Sequence, residues 1–119
     1  MTNRLGYFTL ETPDIAKARA FYSALFGWRY HEASSHATYV HVENAGAHQG
    51  PACGIVRGEK KDFSNLYFHV IDIDAACVRV NELGGRAAIP ADSASGRSVT
   101  ACDDQGVSFG LWQPGPGMV

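Results

Sequence analysis

Several features are scarce in this sequence of 119 residues, and each shortage argues against a class of protein. The three cysteines lie far apart and form no Cys-x-x-Cys pair, so neither a disulfide framework nor a thiolate zinc site is predicted. No apolar run approaches the ~20 residues of a membrane-spanning helix. The formal net charge is −2 and the basic residues form no stripe, which argues against a nucleic-acid partner. We therefore expect neither a nucleic-acid nor a membrane partner.

The features that are scarce in the sequence also bear on the cellular location of the protein. The start of the sequence contains no apolar stretch of the kind that begins a signal peptide. Unpaired cysteines suit a reducing compartment, where buried thiols stay inert. We expect a cytoplasmic protein with a single domain over residues 1–119, which is long enough to form a core without covalent staples.

A strand followed by a helix occurs twice, and one constant shift along the chain relates the two copies. Under this shift Asp14 maps onto Asp72, and Gly27 maps onto Gly85. The other matching pairs are Ile15 with Ile73, Ala18 with Ala76, and Leu25 with Leu83. A register shared by both elements indicates a duplicated unit.

Each half is predicted to run strand, helix, strand, strand, strand. In the first half, strands are expected over 5–12, 28–32, 37–43 and 52–57, with a helix between Asp14 and Gly27. In the second half, strands are expected over 65–71, 86–89, 97–102 and 107–113, with a helix that starts at Asp72 or Asp74. Turns are expected at 91–96 and 103–106. The predicted class is α+β, with modules over 4–57 and 64–114, a linker over 58–63 and a tail over 115–119.

The first strand of each half alternates, which predicts two distinct faces. One face would pack on the helices and consists of Phe8, Leu10, Leu66, Phe68 and Val70. The opposite face carries Tyr7, Thr9, Glu11, Asn65, Tyr67 and His69. This mixture of rings, donors and acceptors suits a binding cleft, although a solvated sheet face explains it equally well.

Three segments resemble a known family: DIAKARAFYSALFGW at 14–28, DID at 72–74 with LGG at 83–85, and DDQGVSFGLWQP at 103–114. They are similar to the paired βαβββ modules of the vicinal-oxygen-chelate superfamily, which includes glyoxalase I, bleomycin-resistance proteins and extradiol dioxygenases. The resemblance implies two modules edge to edge, whose sheets form an open, eight-stranded, barrel-like cleft with the helices outside. It also implies that the turn at Asp103 and Asp104 is structural.

Metal-using members of this superfamily place ligands on the first and last strand of each module. Mapped onto this chain, those positions are Tyr7, Gly54, Asn65 and Gly110. Glycine has no side chain to offer, and a neutral tyrosine or a lone asparagine is a poor ligand for a divalent ion. The resemblance therefore predicts no metal ligands at these positions and no cofactor, and it leaves room for a divalent ion only at a site that the family does not use.

Two further groups of side chains are candidates. Glu11 and His69 are related by the same shift as the two helix starts, and a carboxylate beside an imidazole could serve as an acid–base pair. Both could instead simply face solvent. The candidate ligand-binding residues are Tyr7, Thr9, Tyr39, His41, Asn65, Tyr67 and Trp112. The rings among them could grip a planar molecule, or they could pack where modules or subunits meet.

These observations favour a metal-independent protein that binds a small aromatic or amphipathic molecule in a cleft. The alternative is a lyase, isomerase or dioxygenase-like enzyme that uses a relocated metal or acid–base chemistry at His69 and Glu11. A third possibility is a pure interaction module. The resemblance also implies a homodimer.

Overall fold

The chain divides into two compact units, Met1–Lys60 and Lys61–Val119. A computed structural model describes residues 7–43, 52–59 and 62–116, with side chains described except at positions 52 and 62–65. Within these ranges the chain forms two α-helices and eight strands, so the predicted α+β class is confirmed.

The first unit builds a mixed sheet from its first and last strands. Its elements are β1 (Tyr7–Thr12), α1 (Ile15–Phe26), a 3-10 turn (Glu32–Ser34), β2 (Tyr39–His41) and β3 (Ala52–Arg57). The strand order is β1-β3-β2, in which β3 pairs parallel to β1 and antiparallel to β2. Because parallel strands need a crossover, α1 lies between β1 and its partner in the chain.

The second unit repeats this plan with more strands. Its elements are β4 (Asp62–His69), α2 (Ile73–Glu82), β5 (Arg86–Ala87), β6 (Ala91–Ser93), β7 (Gly96–Cys102) and β8 (Ser108–Pro114). The sheet order is β4-β8-β7-β5, and β6 also pairs with β7. Here β4 and β8 are the parallel pair, as β1 and β3 are in the first unit.

The two helices begin alike. The Asp14 carboxylate accepts a hydrogen bond from the Lys17 amide at 3.1 Å, and the Asp72 carboxylate accepts one from the Ala75 amide at 3.1 Å. Each aspartate satisfies a backbone donor that the helix itself leaves unpaired. Asp72 is thus the cap of α2, and Asp74 instead lies in its first turn. At the other end of α1, Gly27 adopts the predicted left-handed conformation, with φ of 72°.

The parallel strand pairs show which residues are equivalent in the two units. Thr9 is opposite Gly54 in the first unit, and Tyr67 is opposite Gly110 in the second. The shift that relates Thr9 to Tyr67 is the one that relates the two helix starts, whereas Gly54 and Gly110 are slightly closer together in the chain. The chain distance between equivalent residues is therefore larger for the first strands than for the last strands. The segments that connect these strands differ in length between the two units.

The strand predicted over 28–32 is wrong. Tyr30 forms only an isolated bridge with Val42, and the chain then enters the 3-10 turn. The His31 amide donates to the His41 carbonyl at 2.9 Å, and the Ser35 hydroxyl donates to the His31 carbonyl at 2.7 Å, so the pairing ends where the turn begins.

The turn predicted over 91–96 is too long. Residues Ala91–Ser93 form β6, which pairs with β7 in a tight hairpin. The turn depends on Gly96, whose φ of 130° is accessible to glycine and strained for other residues. Because the backbone reverses direction within this short stretch, residues 91–93 can pair with β7.

Apolar residues from helices and strands form the core of each unit. The first contains Leu10, Ile15, Ala18, Phe21, Tyr22, Val40, Cys53 and Ile55. The second contains Ile73, Cys77, Val80, Val99, Ala101, Val107, Phe109 and Leu111. Burial raises the pKa of the Cys53 thiol to about 12, in line with the expectation of an inert thiol. Within the described ranges, neither helix has the length and hydropathy to cross a bilayer.

Two polar side chains fix the ends of β8. The buried Asp103 carboxylate accepts from the amides of Gln105 and Val107 at 2.8 and 3.0 Å, so it holds the turn that leads into the strand. At the far end, the Ile73 amide donates to the Gln113 side-chain oxygen at 2.8 Å. This bond ties the last strand to the first residue of α2.

Replacing Gln113 should therefore destabilise the protein. In Gln113→Ala the amide of fully buried Ile73 loses its acceptor, which we expect to lower the free energy of unfolding by about 1–2 kcal/mol. The measurement is urea denaturation. Gln113→Glu keeps an acceptor oxygen at a helix start and should stay close to the wild type. Equal losses in both variants would contradict this role.

Candidate functional site

The outward face of the first unit's sheet is polar and aromatic. His41, Gly54 and Thr9 lie in one row across β2, β3 and β1. Tyr7 precedes this row on β1 and Tyr39 precedes it on β2. The alternation predicted for β1 is observed, since Leu10 is buried while Tyr7 and Thr9 are exposed.

Gly54 lets the two tyrosines meet above the middle strand. A Cβ atom at this position would lie 2.6 Å from the Tyr7 hydroxyl and 2.7 Å from the Tyr39 ring carbon that bears its hydroxyl. The two hydroxyl oxygens are 2.5 Å apart, a short hydrogen bond. Although Tyr7 as a whole is exposed, desolvation of its phenol, and then the hydrogen bond to Tyr39, raise the pKa of Tyr7 to about 12, so this phenol is neutral at physiological pH.

His41 continues the same surface. Its ring centroid lies 4.8 Å from that of Tyr39, and its Nδ1 lies 3.1 Å from the Ser34 carbonyl oxygen. A carbonyl can only accept, so Nδ1 carries a proton and donates it to this bond. The face thus offers rings, hydroxyls and an imidazole.

The second unit has a groove of about 380 Å³ on its corresponding face, lined by Tyr67, Ser95, Ser98 and Trp112. The Trp112 indole N–H donates to the Ser95 carbonyl at 3.2 Å, which fixes the orientation of the ring. The His69 ring lies 6.1 Å from the indole, at an angle of 49°. An oriented indole beside hydroxyl groups can stack on a planar molecule and hydrogen-bond to its edge.

Gly110 has the same relation to a tyrosine as Gly54 does. A Cβ atom there would lie 2.7 and 2.8 Å from the Cε2 and Cγ atoms of Tyr67. The Tyr67 ring therefore lies flat over the backbone of β8, while the residue remains 52% exposed. In both units, tyrosine atoms fill the space above the last strand that any side chain larger than that of glycine would need.

Glu11 and His69, the predicted acid–base pair, lie in different units. The Glu11 side chain packs over the backbone of Gly58, where a Cβ atom would lie 2.5 Å from its Cγ. His69 faces Trp112 across the β4–β8 pair. The partnership of Glu11 with His69 stays a prediction. Of the predicted ligand-binding residues, the Asn65 side chain falls outside the described residues.

The side chains at the described family metal positions do not fit a divalent ion. Tyr7 presents a neutral phenol, and a Cβ atom at Gly54 or Gly110 would clash with tyrosine. Divalent ions in proteins are held by roughly three carboxylate, imidazole or thiolate ligands. Within residues 7–43, 52–59 and 62–116 no three such side chains come together. No chemical step is therefore assigned to a metal here.

Sequence reasoning missed the serines. Ser98 lies opposite Trp112 across the β7–β8 pair, and Ser95 accepts the indole hydrogen bond at the end of the hairpin. The signal that finds Ser98 is the strand register, which becomes visible only once β7 and β8 are aligned. Ser34, which orients His41, was hidden because the 3-10 turn was not predicted.

The sequence matches the family model described as Glyoxalase/Bleomycin resistance protein/Dioxygenase superfamily over residues 4–109. The chain belongs to this superfamily. It is also 32% identical over 118 residues to the CFP32 proteins of Mycobacterium tuberculosis and Mycobacterium bovis, which are named as candidate glyoxylases. That match covers 91% of this chain but only 44% of those relatives.

Solved structures confirm the glyoxalase/bleomycin-resistance fold. The antibiotic-binding protein TnmS3 from Streptomyces sp. CB03234 is 24% identical, with a TM-score of 0.71 over 96% of this chain and 98% of its own. A mutant of the fosfomycin resistance protein FosX from Listeria monocytogenes, complexed with Mn(II) and a dihydroxypropylphosphonic acid, is 21% identical, with a TM-score of 0.75 over 99% and 95%. At these identities the likeness concerns the fold alone.

The contact between Gly110 and Tyr67 predicts that the loss of stability caused by replacing Gly110 depends on whether the Tyr67 ring is present. Gly110→Ala should lower the free energy of unfolding by about 1–3 kcal/mol, because the methyl group collides with the base of the ring rather than its flexible end. In a Tyr67→Ala background, the same change should cost much less. The measurement is a double-mutant cycle by urea denaturation. Additive losses would show that the ring does not occupy this space.

The raised pKa of Tyr7 predicts alkaline behaviour. The folded protein favours the neutral phenol, so this group's contribution to stability is complete below about pH 10, the ordinary pKa, and is lost as the pH rises through about 12. Titration of phenolate absorbance should show a component near 12 that disappears in Tyr7→Phe. In Tyr39→Phe, the loss of the hydrogen bond should lower the pKa of Tyr7. A Tyr7 component near the ordinary pKa in the wild type would contradict the assignment.

Proposed function

We propose that this protein binds a small aromatic or amphipathic molecule on the polar-aromatic faces of its sheets, without a divalent ion at the family's metal positions. Members of the superfamily bind small molecules, and this proposal assigns the chain to the part of the family that uses rings and hydrogen bonds for that purpose. A homodimer is part of the proposal, since members commonly form dimers.

The observation that carries the proposal is that glycine lies beneath tyrosine at the predicted ligand positions on the last strands. Gly54 lies under Tyr7 and Tyr39, and Gly110 lies under Tyr67. A ring placed over bare backbone gives a broad apolar surface with a hydroxyl at its edge. Such a surface suits a planar molecule better than a hydrated metal ion.

The groove in the second unit offers a stacking surface of its own. Trp112 has its indole fixed by the Ser95 carbonyl, so little conformational entropy is lost when a ligand packs against it. A stacked aromatic pair contributes about 0.5–1.5 kcal/mol beyond the area it buries. Two such contacts, with Tyr67 and Trp112, would together contribute about 1–3 kcal/mol, which is roughly 5- to 150-fold in affinity.

The comparisons support binding without assigning a ligand. TnmS3 is named for antibiotic binding, and the FosX complex contains manganese and a phosphonic acid. This chain shares the fold with both, and the neutral phenol and the glycines at its predicted metal positions support binding without manganese. Because it spans 44% of the length of CFP32, a glyoxylase-type activity of the whole relative is not carried over.

The test uses a planar amphipathic probe, fluorene-4-carboxylate, in isothermal titration calorimetry. We expect saturable binding that weakens about 3- to 10-fold in Trp112→Ala, the equivalent of one lost stacking contact. Val78→Ala is the matched control, because Val78 is an exposed apolar residue on α2 of the same unit. Its binding should equal that of the wild type.

The same titration with EDTA and with added Mn²⁺ distinguishes the enzymatic alternative. We expect the affinity to be the same in both. Binding that requires the ion, or a stoichiometric ion on metal analysis of the purified protein, would overturn the metal-independent proposal. It would favour a relocated metal site that draws on His41, His69 or Glu11.

A further inference from the structure

Two residues at one end of the β7–β8 pair both bind the start of α2. Arg97 and Gln113 are opposite each other in the strand register. The Arg97 guanidinium donates two hydrogen bonds to the Asp74 carboxylate, at 2.8 and 3.3 Å, and Asp74 lies in the first turn of the helix. Gln113 accepts a hydrogen bond from the Ile73 amide. The start of α2 is therefore fixed to this pair of strand positions.

The chain neighbours of these two residues line the groove of the second unit. On β7, Ser98 comes directly after Arg97, and on β8, Trp112 comes directly before Gln113. Ser98 and Trp112 are also opposite each other in the register. Because side chains alternate along a strand, the contacts to α2 and the groove lie on opposite faces of adjacent residue pairs. Whatever holds this end of the strands against α2 therefore also holds two residues of the groove.

Arg97 also holds the β6–β7 hairpin, which forms the rim of the groove. Its Nε donates to the Asp92 carboxylate at 3.2 Å, so one guanidinium joins β6, β7 and α2. Between Asp92 and Arg97, the Ser95 carbonyl accepts from the Trp112 indole at 3.2 Å and from the Gly115 amide at 2.9 Å. The strand β6 is exposed along its whole length. Polar contacts, rather than a buried core, therefore hold this hairpin in place.

The contact between Arg97 and Asp74 is suited to fixing an orientation. Two parallel hydrogen bonds from one guanidinium restrict the geometry of a carboxylate more strictly than a single bond does. The hydrogen bonds from Arg97 lower the pKa of Asp74, so the pair stays charged at neutral pH. The side chains are 33% and 67% exposed, and an ion pair this exposed adds little to stability. Its removal should therefore leave the unit folded and alter the position of the groups that it holds.

We infer that Arg97, bound to Asp74, is a positioning residue for the groove, which holds the hairpin and the Trp112 indole in the orientation that a ligand meets. Without this ion pair, the end of β7 is released from α2, while β8 stays tied to the helix through Gln113. The Ser95 carbonyl then no longer holds the indole in one place. The consequence for ligand binding rests on the proposed function, whereas the consequence for the indole does not.

The first measurement follows the indole N–H of Trp112 in proton–nitrogen correlation NMR spectra. The sequence contains two tryptophans, and Trp28 lies in the first unit, so its indole resonance is an internal reference. Arg97→Gln and Asp74→Asn should each shift the Trp112 resonance, because the hydrogen bond to Ser95 changes. Both variants should leave the Trp28 resonance in place.

Two further variants control for charge and for geometry. Arg79→Gln removes the same charge from an exposed position on α2, where Arg79 pairs with Glu82, and should move neither indole resonance. Arg97→Lys keeps the charge but loses the two-point contact with the carboxylate. Its Trp112 resonance should therefore lie between those of the wild type and Arg97→Gln.

The second measurement is isothermal titration calorimetry with fluorene-4-carboxylate, an anionic probe. Both Arg97→Gln and Asp74→Asn should weaken binding about 2- to 5-fold, as expected for the loss of one surface ion pair. Charge alone would act in opposite directions, because loss of Asp74 would favour an anion and loss of Arg97 would disfavour it. Asp74→Asn therefore separates an effect of position from an effect of charge.

The outcomes separate the inference from the function beneath it. A shifted Trp112 resonance together with weaker binding in Asp74→Asn would establish the inference. A Trp112 resonance that stays in place in both Arg97→Gln and Asp74→Asn would overturn it, as would binding to Asp74→Asn that equals or exceeds that of the wild type. An absence of saturable binding to the wild type would overturn the proposed function, while a shifted resonance would still establish that Arg97 positions the indole.

Discussion

The constraint on which this structure depends is the parallel pairing of the first and last strand in each unit. That pairing places Thr9 beside Gly54 and Tyr67 beside Gly110. Glycine at these points removes the side chain that would stand up from the middle of the sheet, and a neighbouring ring fills the space. Any larger residue would displace the ring. The strand pairing, the glycine and the tyrosine therefore depend on one another.

This arrangement also decides the chemistry of the face. A coordinating residue on the last strand would need the volume that tyrosine occupies, so rings and ligands compete for the same space. The two units solve the packing differently. In the first, two hydroxyls meet over the glycine. In the second, the ring lies flat and a tryptophan anchored by Ser95 stands beside it. Both give a surface suited to flat molecules.

Local chemistry made much of the fold predictable. Asp14 and Asp72 cap their helices, and Gly27 ends α1, because each role depends on a few neighbouring backbone groups. Alternation on β1, and on the part of β4 whose side chains are described, matches the observed alternation of exposure. The extent of the strand after Trp28 was not predictable in this way, because it depends on pairing with residues around Val42 and on the turn that follows.

The site was only partly predictable, for a related reason. Tyr7, Tyr39 and Gly54 could each be identified as residues of interest, but their meeting depends on the register of three strands. Ser98 came to light through its place opposite Trp112. Contacts between residues far apart in the chain follow from strand pairing, which periodicity within one segment does not specify.

The unequal offsets of the first and last strands have a consequence for how such a molecule can change. Gly54 and Gly110 are closer in the chain than Thr9 and Tyr67 are, so the two units keep the same parallel pairing with connections of different length. The length of a connection can therefore change without changing which strands pair. The loops of one unit are free to differ from those of the other while both sheets keep their order.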